Sequence, residues 1–205
     1  MVDKHAVRAA YDALSAVYVS HREQDLTDQD WLSSIPDGSR VLDAGCGPGR
    51  PVLARLQASG TPVGLDFSRE QLTLATAHVP DAPLVQGDLT TLPFADATFD
   101  AVIALWSLIH VPAAEHQRVI DEFARVLRPG GTVTLNEGVD AWTGTNADWL
   151  DSGVRMEWHL AGAAATRSQL ERAGFDVQSE WRAGDSLEDD DGELPWAFFT
   201  AELEE

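Results

Sequence analysis

Along residues 6–20 (AVRAAYDALSAVYVS) apolar side chains recur at Ala6, Ala10, Ala13, Leu14 and Val17, a spacing that predicts an amphipathic helix. Residues 25–38 are polar and end on Pro36-Asp37-Gly38, a turn signal. From there strand and helix alternate. Short apolar runs predict strands over 40–43, 61–66, 83–87, 99–105 and 132–136. Helices are expected over 50–59, over 68–78 with Ser68 as N-cap, and over 112–128, stopped by Pro129-Gly130-Gly131. Continuous apolar strands separated by helices imply an α/β fold with a parallel sheet covered on both faces. The end of the chain is different. A Trp-rich stretch, 139–165, precedes a helix at 166–173 and the tripeptide Ala173-Gly174-Phe175. Strands near 175–182 and 195–202 then flank an acidic loop at 188–191. With no helix between them, these two must pair antiparallel or occupy an edge.

Composition narrows the chemistry. A chain of 205 residues suits one domain, and 44% hydrophobic residues suffice for a sizeable core. Asp and Glu number 34 against 14 Lys plus Arg, a net charge of −20, and Lys4 is the sole lysine. That removes a P-loop lysine, a pyridoxal Schiff base and a Tyr-x-x-x-Lys pair, because Lys4 precedes any strand able to place it in such a site. The charge also disfavours nucleic acid and anionic membranes as partners. A surplus of acid with arginine replacing lysine fits a halophilic composition; a basic partner is the alternative. One cysteine, Cys46, leaves no internal disulfide and fits a reducing, cytoplasmic setting. The N-terminus shows no apolar signal segment and no run approaches a membrane span.

The stretch Val41-Leu-Asp-Ala-Gly-Cys-Gly-Pro-Gly-Arg50 puts a glycine turn between the first strand and a helix. Gly45, Gly47 and Gly49 let a ligand approach the main chain, at the usual crevice of an open α/β sheet. The spacing is G-x-G-x-G, not the G-x-G-x-x-G of dinucleotide binders. Asp43, two residues before the first glycine, favours a cationic ligand over a pyrophosphate, or else binds the amides of its own loop. Asp66 ends the second strand, where a carboxylate can accept both hydroxyls of a ribose, and Asp88 follows the third, where one can meet an adenine amino group.

These segments resemble the class I S-adenosylmethionine-dependent methyltransferases of the small, single-domain kind. The matching motifs are VLDAGCGPGR (41–50), GLDFS (64–68), QGDL (86–89), LPFADATFD (92–100), SLIHV (107–111) and LRPGG (127–131). The resemblance implies a Rossmann-like, doubly wound, seven-stranded sheet, mostly parallel with an antiparallel C-terminal strand. It implies S-adenosylmethionine as cofactor and one domain over 1–205. That domain would comprise a helical lid (1–38), a cofactor-binding core (39–138), an insertion facing the acceptor (139–165) and a C-terminal helix and hairpin (166–205). Asp43, Gly45, Cys46, Gly47, Gly49 and Arg50 would form the loop at the methionine moiety. Asp66 would hold the ribose, with Phe67 and Ser68 beside it, and Asp88 with Leu89 the adenine edge. Leu105 and Trp106 would complete the pocket. Tyr18 or Tyr11 would close over the methionine end, or else pack under the lid.

Methyl transfer from a sulfonium depends mainly on alignment, and a base is needed only for a protonated acceptor. His110, just past the fourth strand, is the candidate base; pinning its loop is the alternative role. No Asp/Asn-Pro-Pro-Tyr/Phe motif, catalytic cysteine outside the cofactor loop, or zinc-ligand spacing occurs, so a metal-free enzyme acting on a small molecule is expected, as a monomer or homodimer. Trp142, Trp149, Trp158 and His159 in the insertion would either cage the acceptor or form core. Two rival readings are an NAD-type oxidoreductase, whose motifs are missing, and a cofactor-binding protein without transferase activity. The charge carries its own test. Thermal melts across potassium chloride are expected to show the melting temperature rising toward molar salt as repulsion is screened. A flat or falling trend would redirect attention to a basic partner.

Overall fold

A computed structural model describes residues 3–22, 35–58, 60–184 and 196–204. Seven strands form one sheet in the order β3-β2-β1-β4-β5-β9-β8. The strands β1 (Arg40–Ala44), β2 (Thr61–Asp66), β3 (Leu84–Gln86), β4 (Phe99–Ala104) and β5 (Leu127–Gly138) pair parallel. Strand β9 (Trp196–Leu203) runs antiparallel between β5 and β8 (Phe175–Ala183). The mostly parallel sheet with an antiparallel C-terminal strand is thus present. Its central strands are apolar on both faces: Val41, Leu42 and Ala44 of β1 and Val102, Ile103 and Ala104 of β4 are all buried. Helix α4 (His116–Val126) covers one face through Val119, Ile120, Phe123 and Val126, at spacings that keep one stripe inward. Helices α2 (Val52–Leu56), α3 (Arg69–His78) and α5 (Ala163–Arg172) complete the layers.

Several elements differ from the sequence expectation. Helix α2 ends at Leu56, short of the expected 59. Helix α4 spans His116–Val126, not 112–128, and ends before Pro129-Gly130-Gly131, which belongs to β5; that strand starts at Leu127 and shifts register against β4. The 139–165 insertion is a β-hairpin, β6 (Trp142–Trp149) with β7 (Val154–Leu160). Most of the polar 25–38 stretch and the acidic loop at 188–191 fall outside the described residues.

Helix α1 (Lys4–Arg22) is present, but its buried stripe is Val7, Ala10, Tyr11, Leu14 and Tyr18. Ala6 and Ala13 are exposed, because the tyrosines supply far more apolar area than alanines do. This stripe meets Met156, Trp149 and Trp158 of the hairpin and Phe67 after β2, forming a small second core above the carboxyl edge of the sheet. Asp12 fastens α1 to the start of α3, where its Oδ1 accepts from the Ser68 hydroxyl at 2.6 Å and the Glu70 N–H at 3.3 Å. A carboxylate there satisfies groups that a helix start leaves open. Asp12→Ala is expected to loosen α1 by about 1–2 kcal/mol. Limited proteolysis would show faster cleavage within α1, while the melting of the sheet changes little.

Candidate active site

The carboxyl ends of β1, β2 and β4 and the turn after β3 open onto a cavity of about 660 Å³ of empty space, partly open to solvent, and roofed by α1. Gly45 makes it possible. Its φ is +91°, and a Cβ there would stand 2.4 Å from the Ser107 Cβ, so only glycine lets the β1 turn lie against the loop leaving β4. The turn amides of Gly45 and Cys46 donate to the Leu65 carbonyl at 2.7 and 3.0 Å, tying it to β2.

Of the residues singled out in the sequence, Tyr11, Tyr18, Gly45, Gly47, Asp66, Phe67, Asp88, Leu89, Leu105, Trp106 and His110 line this cavity. The others stand behind it. Gly49 packs so closely on Val79 and Ala75 that a Cβ would lie 2.8 Å from Val79 Cγ2, and Arg50 is exposed. Cys46 is buried against Leu53, Ala75 and Val79, and burial raises its thiol pKa well above the ordinary value. Ser68 caps α3, accepting the Gln71 N–H at 3.2 Å. Asp43 lies under the turn, 3% exposed.

Two carboxyls meet beneath the glycines. Burial, then the charge of Asp66, push the Asp43 pKa up to about 8, against a hydrogen bond from the Leu53 amide. Asp66 is raised to about 6 by burial, although its Oδ2 accepts the Gly47 N–H at 2.9 Å and its Oδ1 the Ser68 N–H at 2.8 Å. One oxygen of Asp43, the side-chain amide of Gln71 and the Ser107 hydroxyl have no hydrogen-bond partner although buried. Gln71 and Ser107 line the cavity and were missed in the sequence, where a glutamine and a serine carry no distinctive spacing.

Lys4 reverses an expectation. The fold of α1 over the carboxyl edge brings its ammonium to 2.9 Å from Asp88 Oδ2 and 3.1 Å from Glu115, with the Thr90 hydroxyl at 3.2 Å. Burial alone would raise the pKa of Asp88; Lys4 and Thr90 outweigh it and hold the carboxyl below the usual range. At the far end His110, 6% exposed, has its Nε2 2.8 Å from the Tyr11 hydroxyl and its Nδ1 3.1 Å from the Glu157 carbonyl. A carbonyl only accepts, so Nδ1 carries the hydrogen and Nε2 accepts from Tyr11. Trp149 stands 5.9 Å from Tyr11, and Trp158 lies 5.5 Å from Trp149, both as packing behind the lid. Trp142 is 52% exposed, and the His159 Nδ1 accepts the Ala113 N–H at 3.1 Å. Among the described residues no cluster of His, Cys, Asp or Glu could hold a metal ion, and no helix is long and apolar enough to cross a membrane.

The sheet order and this site define a class of nucleotide-crevice enzyme, and comparison with known proteins gives the family. Residues 42–135 match the methyltransferase domain family. A methyltransferase of Synechocystis is 35% identical over 164 residues, 76% of each chain. A sterol 24-C-methyltransferase of Gibberella zeae is 32% identical over 176 residues, 79% of this chain; the alignment spans only 45% of that enzyme, about half its length. A solved SAM-dependent methyltransferase from Methanosarcina mazei shares the fold, with a TM-score of 0.76 at 21% identity, covering 89% of this chain and all of that one. The chain belongs to the class I S-adenosylmethionine-dependent methyltransferases.

The paired acids predict a pH dependence. Free carboxyls ionise near pH 4, whereas Asp43 and Asp66 in the fold hold their protons to about 8 and 6. The folded state then binds more protons than the unfolded one, so this contribution to stability is full below about pH 4 and is lost as pH rises through 6 to 8. Thermal melts of the ligand-free protein between pH 5 and 8.5 are expected to show a decline that Asp43→Asn flattens. Parallel declines in the two proteins would refute the assignment.

Proposed function

We propose that the protein transfers a methyl group from S-adenosylmethionine to a small-molecule acceptor, releasing S-adenosylhomocysteine. The observation that carries this reading is the 2.8 Å contact between Tyr11 and His110, set in the cavity that the glycine turn and Asp66 also line. The residues present fit the cofactor. Gly45 and Gly47 leave the main chain open to its methionine part, and the acids beneath them favour a ligand bearing sulfonium and ammonium charges, increasingly so as they ionise. The unpartnered Gln71 amide and Ser107 hydroxyl supply further polar contacts. Asp66 accepts the Gly47, Ser68 and Phe67 amides, and a carboxylate's four lone-pair sites leave room for a ribose hydroxyl beside them. Phe67 and Leu89 would flank the adenine, whose amino group would share Asp88 with Lys4. Leu105 and Trp106 complete the wall, and Tyr18 closes it from α1.

Bound there, the cofactor supplies a methyl group already activated on sulfur. The protein then needs to align an acceptor and hold one proton. Tyr11 and His110 suit that task. The acceptor's proton passes to the Tyr11 oxygen while the tyrosine's own proton moves to His110 Nε2, with Glu157 steadying the ring. The acceptor end is aromatic and apolar. Lys4, the one cation on the lining among the described residues, is engaged by Asp88 and Glu115, so an uncharged or cationic acceptor fits better than an anionic one. An apolar acceptor agrees with the sterol activity of the Gibberella relative. The acid surplus and lone buried cysteine support a cytoplasmic enzyme, monomeric or homodimeric, with no nucleic-acid or membrane partner.

Calorimetry in high salt is expected to show one S-adenosylmethionine bound per chain and no NAD; saturable NAD binding with no response to the methyl donor would refute the reading. A screen of hydroxyl, amine and thiol compounds by homocysteine release then supplies an acceptor. On it, Tyr11→Phe and His110→Ala are expected to lower turnover by roughly 100-fold with cofactor affinity nearly intact, and raised pH to restore part of the rate. Cofactor binding without turnover on any acceptor would instead favour a non-transferase role.

A further inference from the structure

The loop leaving β4 carries Trp106, Ser107, His110 and Val111 into the cavity wall, and two consecutive residues of β5 hold it from behind. Asn136 and Glu137 are both fully buried. Asn136 Oδ1 accepts the Trp106 N–H at 2.6 Å. Trp106 itself has φ +58°, a left-handed conformation that a bulky residue keeps only where its surroundings impose it. Glu137 acts on the other end of the loop through His116. Its Oε1 accepts the Gly138 N–H at 2.8 Å, and its Oε2 faces His116 Nδ1 at 3.4 Å, with both side chains sealed from solvent. The Nε2 of His116 lies 2.9 Å from the Val111 carbonyl oxygen, so Nε2 carries a hydrogen.

Burying such groups costs stability that apolar side chains of similar size would not. The cost is visible, since the Asn136 amide nitrogen and the facing His116 and Glu137 atoms make no regular hydrogen bond. The arrangement provides direction instead. One end of the loop is fixed at the Trp106 amide and the other at the Val111 carbonyl, and His110 lies between them.

We propose that Asn136, Glu137 and His116 are positioning residues for methyl transfer, bracing the Trp106–Val111 loop so that His110 keeps its Nε2 lone pair on the Tyr11 hydroxyl. The proposal rests on the reading of His110 as proton acceptor given above. Three replacements of one residue test it. His116→Leu removes the hydrogen bond to Val111. His116→Gln can place an amide N–H near the position of Nε2, and His116→Asn is similarly polar but too short to reach. The readouts are melting temperature, S-adenosylhomocysteine affinity by calorimetry, and nitrogen NMR of the His110 ring, which reports its tautomer.

The parent and His116→Gln are expected to show a single Nδ1–H tautomer, and the Leu and Asn variants a mixture. Turnover on the screened acceptor should fall about tenfold or more in Leu and Asn, recover to within about threefold in Gln, and leave S-adenosylhomocysteine affinity within about threefold throughout. If His116→Leu does not fold, the Gln and Asn variants alone decide the matter. An unchanged His110 spectrum and turnover in His116→Asn overturns the proposal. So does a loss of S-adenosylhomocysteine affinity equal to the loss of turnover, because the loop would then serve the cofactor alone. A parent protein that binds no S-adenosylhomocysteine would defeat the cofactor reading, while the His110 spectra would still report whether the brace exists.

Discussion

The approach of the β1 turn to the loop after β4 is the constraint on which the site depends. With the would-be Gly45 Cβ only 2.4 Å from Ser107, any side chain would separate two strands that are neighbours in the sheet. The closeness brings the glycine amides within reach of β2, through the Leu65 carbonyl and the Asp66 carboxylate. It also makes the floor of the cavity continuous from Asp66 to His110. Parallel strands put all their carboxyl ends on one edge, so a single close turn there gathers residues from four segments of the chain.

The roof is built on a different principle. Helix α1 and the β6–β7 hairpin are far apart in sequence and bury each other's aromatic residues above the sheet edge. Tyr11 belongs to both structures: it packs against Tyr18, Phe67 and Trp149, and its hydroxyl reaches His110. Glu157 of the hairpin holds the other side of that imidazole. The packing that docks the lid therefore also sets the tautomer of the histidine, and cage and core cease to be alternatives for the hairpin tryptophans. Trp149 and Trp158 act as core that supports a site residue without lining the cavity.

The sheet was legible because its strands are buried on both faces and bounded by glycine and proline turns, a pattern that survives without tertiary knowledge. The acids Asp66 and Asp88 were legible for the same reason, since each stands where a strand stops. The hairpin was not. Strand β6 has no buried face at all and β7 buries only Met156, so neither shows the alternation that marks a half-buried strand. The inward stripe of α1 was misjudged because the weight of its tyrosines appears only once partners exist for them. Lys4 with Asp88, and Tyr11 with His110, are pairings across 84 and 99 positions that no local spacing reveals.

Charge distribution separates the two ends of the cavity. The sole lysine is placed at the Asp88 end, where it neutralises one acid and bridges α1 to two other segments. Beneath the glycine turn no cation balances Asp43 and Asp66 among the contacts that set their proton affinities, and both hold protons at higher pH than free carboxyls do. A neutral ligand would leave that cost in place. A ligand with positive charge near the turn relieves it, by making the ionised forms favourable where the empty fold resists them. A molecule with its cationic part toward Asp43 and Asp66 and a neutral ring toward Asp88 would match this asymmetry. His110 lies farther along the same floor, where the transferable group of a molecule so oriented would face the aromatic end.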